Sequence, residues 1–483
     1  MMVAEALTCL VLVPVVAACL ALVLPGRWRW LAVAAGLLPL PLAMAWLTGE
    51  LGREGLITVA VAGFEAPLGI VWRLDGLSAV LVWLNIIIAL LVGLHAAAHY
   101  PADKLNGFRF WPLWLLLTGA MNALLLSADL FNLFVTLELV TLAAIGLLVV
   151  DRKPQAMRAA VRYLLLALLG SLFYLLGVAL VYGQTGTLDL YQAAGVLQPD
   201  LLGHTALVLM TVGLLVKAAI FPLHGWLPAA HGNAPGPVSA VLSAMVVKVA
   251  VYLVWRLWLW LAGDWAIPAG LTMLGLLGAL AIVYGSLQAL VQQRVKMIVA
   301  YSTVAQLGYL MLLFPLLGLV AFQATSYHLL SHGLAKAAMF LAAANLLTRL
   351  GTDQLGDLRG ADRRMPLDVF TLALAGVSIL GLPPSGGFIA KWLMLQTALA
   401  QGGWLWVGVI LVGGLLAAAY LFRVLAVLCA RPVACPELPV SGKADQLTSL
   451  VALGLALAAL AAGFVPAPVL KLLATAWPLG GAP

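Results

Sequence analysis

The chain has 483 residues, 64% hydrophobic and only 9% charged, with a mean hydropathy of +1.10. That balance excludes a soluble globular fold, and apolar runs of about 20 residues exclude a membrane β-barrel, whose strands alternate over about 10. The pI near 9.3 does not point to nucleic acid, because the basic residues fall in short loops between apolar runs, the bias that orients membrane proteins.

Fourteen apolar runs lie near residues 3–25, 28–48, 74–98, 110–128, 129–150, 157–183, 201–222, 235–262, 266–290, 296–318, 320–348, 366–400, 403–430 and 446–473. The expected fold is therefore an all-α polytopic membrane protein of about 14 transmembrane helices in a lipid bilayer. The N-terminus carries Glu5 and no positive charge before Arg27, unlike a signal peptide, so the first helix is expected to be retained. Cys9, Cys19, Cys429 and Cys435 show neither CxxC spacing nor an extracellular framework, so neither a cofactor nor a disulfide is expected.

Lysine and arginine sort by side. Seventeen lie in or beside the loops that follow odd-numbered spans, among them Arg27, Lys104, Arg152, Lys296, Arg349, Arg423 and Lys443. Only Arg53, Arg73, Arg256 and Lys471 lie on the other side. This places the odd-to-even loops in the cytoplasm and both termini outside.

The four remaining basic residues, Lys217, Lys248, Lys336 and Lys391, fall inside spans. Each costs about 2.5 kcal/mol or more at mid-membrane. Span five, NLFVTLELVTLAAIGLL, carries Glu138, the one acid placed clearly at mid-span. Glu138 reads either as a structural neutraliser of a lysine or as part of a relay. Lys336 and Lys391 read either as interior groups or as helix-end lysines that snorkel to the headgroups.

Span seven plants Lys217 in its middle and breaks at Pro222, then again at Pro228 and at Pro235 to Pro237, before span eight resumes and carries Lys248. His224 and His231 fall on the cytoplasmic side of this break, where they are candidates for taking protons from the surface. Span eleven, SYHLLSHGLAKAAMF, sets His328, His332 and Lys336 at i, i+4, i+8 on one helical face. Histidines at i, i+4 are also zinc spacing, but Leu329, Leu330 and Ser331 lie between them, without the glutamate of HExxH. No metal is expected, and a protonatable row competes with a satisfied core histidine at His328. Span twelve breaks at Pro383 and Pro384 and in the SGG that follows, just before Lys391.

Broken helices with ionisable groups at mid-depth read as an ion path, because opened backbone is tolerated in hydrocarbon only where protein or water re-satisfies it. Two breaks five spans apart point to two inverted five-helix repeats, spans four to eight (110–262) and nine to thirteen (263–430). Three N-terminal helices (1–109) and a last helix with its tail (431–483) flank them.

The motifs VKAAIFPLHGWLP with APGPVSA, HLLSHGLAKAAMF and LGLPPSGGFIAKW together identify a chain that resembles the antiporter-like membrane subunits of respiratory complex I, membrane-bound hydrogenases and Mrp cation/proton antiporters. The resemblance covers roughly residues 70 to 430. It implies that Glu138 and Lys217 form a coupled pair, that Lys248 and the group His328, His332 and Lys336 continue the relay, and that Lys391 ends it. It also implies partner membrane subunits, protons and sodium as transported ions, and a bacterial or archaeal cytoplasmic membrane.

Lys248 replaces the histidine usual in the largest complex I member, and the long lateral helix of that member is not found after span fourteen. Lys391 replaces the glutamate usual in the middle member. GSLFYLLGVALVYGQTGTLDL and VVKVAVY favour the Mrp D-type subunit over the smallest complex I member or a hydrogenase counterpart. Two rivals remain: a redox-driven proton pump of the complex I or hydrogenase kind, and a scaffold that conducts nothing. No HExxH, GxSxG, haem, iron–sulfur or nucleotide motif supports an enzyme acting alone.

Overall fold

The structure, a computed structural model, describes residues 2–431 and 444–478. Lys443 and Cys435 lie outside the described residues, and Cys9, Cys19 and Cys429 are free thiols. Helices α1 (Met2–Val23) and α2 (Trp28–Glu54) are followed by a β-hairpin, β1 (Ile57–Ala60) with β2 (Val71–Leu74), antiparallel with Ile57 opposite Leu74. Then come α3 (Gly76–Ala97), α4 (Leu105–Leu126), α5 (Leu130–Leu148), α6 (Pro154–Thr185) and the short α7 (Leu190–Val196). The first broken span is α8 (Leu201–Lys217) with α9 (Leu227–Asn233), followed by α10 (Gly236–Leu261). The chain continues with α11 (Pro268–Val291), α12 (Val295–Met311) and α13 (Leu319–Leu350). The second broken span is α14 (Pro366–Leu380) with α15 (Gly386–Ala400), and α16 (Trp404–Leu428), α17 (Ala444–Ala461) and α18 (Ala467–Ala474) close the chain.

Ten of these helices are long and apolar enough to cross a bilayer. The broken pairs α8/α9 and α14/α15, with α12 and α17, take the places of expected spans seven, twelve, ten and fourteen. Among the ten, α10 and α13 are the most enclosed. The helices that carry Lys248, His328, His332 and Lys336 thus form the centre of the bundle.

The break in span seven falls earlier than the prolines suggest. Instead of running past Lys217, α8 stops on it, and Ala219 takes φ +53°. A proline excludes the carbonyl four residues before it from the helical ladder, so Pro222 stops the helix at Ala218. In span twelve α14 ends on Gly381 at φ +80°, where a side chain would be strained. The Ser385 hydroxyl then caps α15 by accepting from the Phe388 N–H.

The two halves are copies in a common register. The isolated bridge Asp129 to Asp189 recurs 165 positions later as Arg294 to Gln354. Leu130 N–H to Leu188 O (2.8 Å) likewise recurs as Val295 N–H to Asp353 O (2.8 Å), and Leu190 N–H to Ala128 O (2.9 Å) as Leu355 N–H to Gln293 O (2.7 Å). Both α6 and α13 have 32 residues and end on a left-handed glycine, Gly186 and Gly351. Five spans separate each counterpart pair, so the copies cross the membrane in opposite senses.

Close packing holds α8 in place. A methyl added to Gly213 would stand 2.3 Å from the Gly170 carbonyl oxygen of α6, and one added to Gly170 would stand 2.7 Å from the Gly213 carbonyl. Both obstacles are backbone, so Gly213→Ala must separate the helices. We expect a loss of about 1–3 kcal/mol, seen as a lower unfolding temperature of the detergent-solubilised complex; Gly183→Ala, with open space at its Cβ, is the matched control.

Candidate functional site

The bundle is apolar, so each buried ammonium needs an acceptor drawn from the protein itself. Lys217 is 5% exposed, Lys248 and Lys336 0%, and Lys391 7%; none snorkels. Among the described residues, of these four only Lys217 receives a carboxylate: its Nζ is 2.5 Å from Glu138 Oε1 on α5 and 3.1 Å from Thr141 Oγ1. The Ser171 hydroxyl of α6 donates to the same Glu138 oxygen.

Lys248 and Lys391 are received by backbone carbonyls freed where helices depart from α geometry, and Lys336 by a carbonyl and a hydroxyl of α12. Lys248 Nζ donates to Ser243 O (2.7 Å) and Ala244 O (3.1 Å), in a π turn over Leu242–Val246. Lys391, on α15, reaches back to Ile379 O (2.7 Å) and Leu380 O (3.3 Å), the last carbonyls of α14, where the helix dipole favours a cation. Lys336 donates to Val299 O (3.1 Å) and to the Ser302 hydroxyl on α12.

Helix packing puts the lysines in order, α8 against α10, α10 against α13 and α13 against α15. Hydroxyls and rings fill the intervals. Ser243 Oγ lies 2.9 Å from Thr303 Oγ1, which donates to Val299 O at 3.1 Å, the carbonyl that also receives Lys336. His328 and His332 stack at 5.7 Å, and both are buried. The Tyr309 ring lies 5.4 Å from His328, and its face lies 4.5 Å from Lys391 Nζ, a cation–π contact. Among the described residues no cluster of three or more His, Cys, Asp or Glu side chains is placed to hold a metal.

His224 and His231 are buried within the protein. His224 sits between the rings of Phe221 (5.5 Å) and Tyr284 (4.9 Å), and His231 stacks on Phe340 at 4.6 Å.

Sequence reasoning missed several participants. Lys296, assigned to the loop side, is buried in the first turn of α12 and donates to Ala234 O at 2.5 Å. Thr141, Ser171, Ser243, Ser302, Thr303 and Tyr309 look ordinary in the sequence; a run such as YSTVAQ in an apolar helix was the only hint. Glu138 is also not the only enclosed acid. Asp75 pairs with Arg256 at 2.6 Å, and Asp368 pairs with Arg349 at 3.7 Å.

Residues 127–417 match the NADH:quinone oxidoreductase/Mrp antiporter transmembrane family. The chain is 36% identical over 377 residues to NADH-quinone oxidoreductase subunit N of Desulforudis audaxviator (strain MP104C), covering 76% of this chain and 74% of that one. It is 29% identical over 355 residues to the D-type subunit of the Na(+)/H(+) antiporter of Bacillus subtilis (strain 168), covering 72% and 71%. Its structure superposes on a chain of the Mrp complex from Dietzia sp. DQ12-45-1b with a TM-score of 0.90 at 27% identity, over 98% of this chain and 97% of that one.

Removing one member of a buried pair strands the other. Glu138→Ala should therefore cost about 3–5 kcal/mol, and the double variant Glu138→Ala/Lys217→Leu should recover most of that loss. Thermal unfolding of the four members of this cycle checks it; a loss in the double variant equal to the sum of the two single losses would mean that the pair is not coupled.

Proposed function

Because this chain belongs to the NADH:quinone oxidoreductase/Mrp antiporter transmembrane family, as an antiporter-like subunit of a multi-subunit membrane complex, we propose that it carries the protons of an Mrp-type Na⁺/H⁺ antiporter. The observation that carries this reading is the 2.5 Å contact of Glu138 with Lys217 at the head of a file of lysines with no other carboxylate partner among the described residues. A full negative charge holds the Lys217 ammonium, whereas carbonyl dipoles offer Lys248, Lys336 and Lys391 only partial charges.

In this reading the pair is the gate. When Glu138 draws away, the Lys217 ammonium loses its counter-charge and passes a proton through water to the neutral amine of Lys248. Lys248 passes it on beside Ser243 and Thr303 to Lys336, and the stacked His332 and His328 lead past Tyr309 to Lys391. Each donor becomes neutral as its acceptor becomes charged, so one excess charge moves while the rest of the file stays neutral. His224 and His231 stand beside the first break as feeders. Sodium needs several oxygen ligands, and this file offers one firm carboxylate; its passage is assigned to a partner subunit. Basic loops facing the cytoplasm and both termini outside follow the charge bias, in a bacterial or archaeal cytoplasmic membrane.

A second reading, the proton-pumping N-type subunit of a redox-driven complex, is supported by the 36% identity to a subunit of that name. The two differ in what drives transport. In vesicles containing the intact complex, a sodium gradient alone should move protons without a redox donor, and Glu138→Gln and Lys217→Ala should each lower flux by about tenfold or more while the complex still assembles. Flux that requires a redox donor would favour the second reading. Unchanged flux in both variants would leave a scaffold.

A further inference from the structure

On the membrane side that carries Lys104, Arg109, Arg152 and Lys153, the helices α3, α13, α14 and α17 converge on one polar chain beyond the lysine file. His99, just beyond α3, is exposed, and its ring stacks on His95 at 5.0 Å with the planes 9° apart. His95 is fully buried, and its Nε2 lies 2.9 Å from Asn345 Oδ1 on α13. Asn345 Nδ2 donates to Asp368 Oδ1 on α14 at 2.6 Å. The other Asp368 oxygen accepts from Ser449 Oγ on α17 (2.7 Å) and lies 3.7 Å from Arg349 Nη1.

The chemistry of this chain fixes its tautomer. An ionised carboxylate only accepts, so Asn345 turns its amide N–H₂ toward Asp368 and its oxygen toward His95. His95 Nε2 must then carry hydrogen, which leaves Nδ1 bare. Nδ1 has no hydrogen-bond partner among the described residues. The ring is thus oriented through Asn345, with a carboxylate behind it, in the way that carboxylates fix histidine ligands elsewhere.

We propose that His95 and His99 form a proton-uptake site that loads the second half of the bundle from its basic side. This rests on the relay reading and supplies it with a feeder distinct from His224 and His231. A proton from bulk water binds His99 and passes through water to His95 Nδ1. The resulting imidazolium keeps its Nε2–H on Asn345 and has the Asp368 carboxylate as counter-charge. The proton leaves from Nδ1 toward Lys336, nine residues before Asn345 on α13 and about 13 Å away along the helix axis, and His95 returns to its neutral tautomer. Among the described residues, the charged and titratable groups bearing on His95 are His99 from its own segment, Arg349 from α13 and Asp368 from α14; α17 contributes the hydroxyls of Thr448 and Ser449.

The same bonds would also pin helix ends, so the test must separate transfer from packing. Glutamine at 95 can still donate to Asn345 but cannot carry a proton, and position 99 is exposed. Proton flux is measured in vesicles of the assembled complex for His95→Gln, His99→Ala and, as reference, Glu138→Gln. We expect His95→Gln to lower flux about tenfold, and His99→Ala to lower it by a few-fold, with restoration by imidazole added on the basic side. Full flux in His95→Gln and His99→Ala, with flux lost in Glu138→Gln, would overturn the uptake site and leave a structural clasp. Full flux in all three would overturn the relay itself. If His95→Gln fails to assemble, imidazole rescue of His99→Ala decides: loss with rescue supports the site, and no loss, or loss without rescue, overturns it.

Discussion

An ammonium group in a water-poor helical bundle has to be received by a carboxylate or by backbone oxygen, and the rest of this structure depends on how that need is met. Lys217 takes the carboxylate of Glu138. Lys248, Lys336 and Lys391 take oxygens from a π turn, from α12 and from the open end of α14. The irregular backbone therefore supplies acceptors as well as bends. A perfect helix would have spent the carbonyls of Ile379 and Leu380 on its own ladder.

The common register of the two halves makes their differences readable. Shifted by 165 positions, Glu138 falls on Thr303 and Ser171 falls on Lys336. The slot that holds a carboxylate in the first half holds a hydroxyl in the second, and the slot of the hydroxyl that supports it holds a lysine. One scaffold used twice thus carries an ion pair on one side and a row of titratable groups on the other. In the proposed relay, that asymmetry makes the first half the gate and the second half the conduit.

Arginines behave differently from the lysines. Arg256 grips Asp75 through two nitrogens, at 2.6 and 2.8 Å, and stacks over Trp260 at 4.2 Å. Arg349 bears on Asp368 at the opposite end. A guanidinium stays charged and binds a carboxylate in a fixed fork, whereas an amine can change its charge. Arginine–carboxylate pairs stand at the two ends of the bundle, and the lysines occupy its interior.

Much of this was legible in the residues. Apolar runs marked the membrane-spanning helices, because hydrocarbon thickness leaves little choice of helix length. Pro222 and Pro384 marked the breaks, because a ring without an N–H cannot continue a ladder. Glu138 and the four lysines stood out because charge is rare where burial makes it costly. What the sequence could not decide was which partner each charge would find. That Lys217 ends α8 rather than sitting in its middle, that Lys391 folds back onto α14, and that Lys296 and Asp368 are interior are matters of where helices cross. Serines and threonines carry no sequence signal of their own, since one hydroxyl is either a solvated group or a link in a chain according to its neighbours. The sequence by itself determined that this protein is a bundle of membrane helices and that Glu138 and four lysines lie within it; tertiary packing decided which acceptor most of these charges meet, because contacts such as Lys217 with Glu138 and Lys336 with Val299 lie far beyond the reach of local pattern.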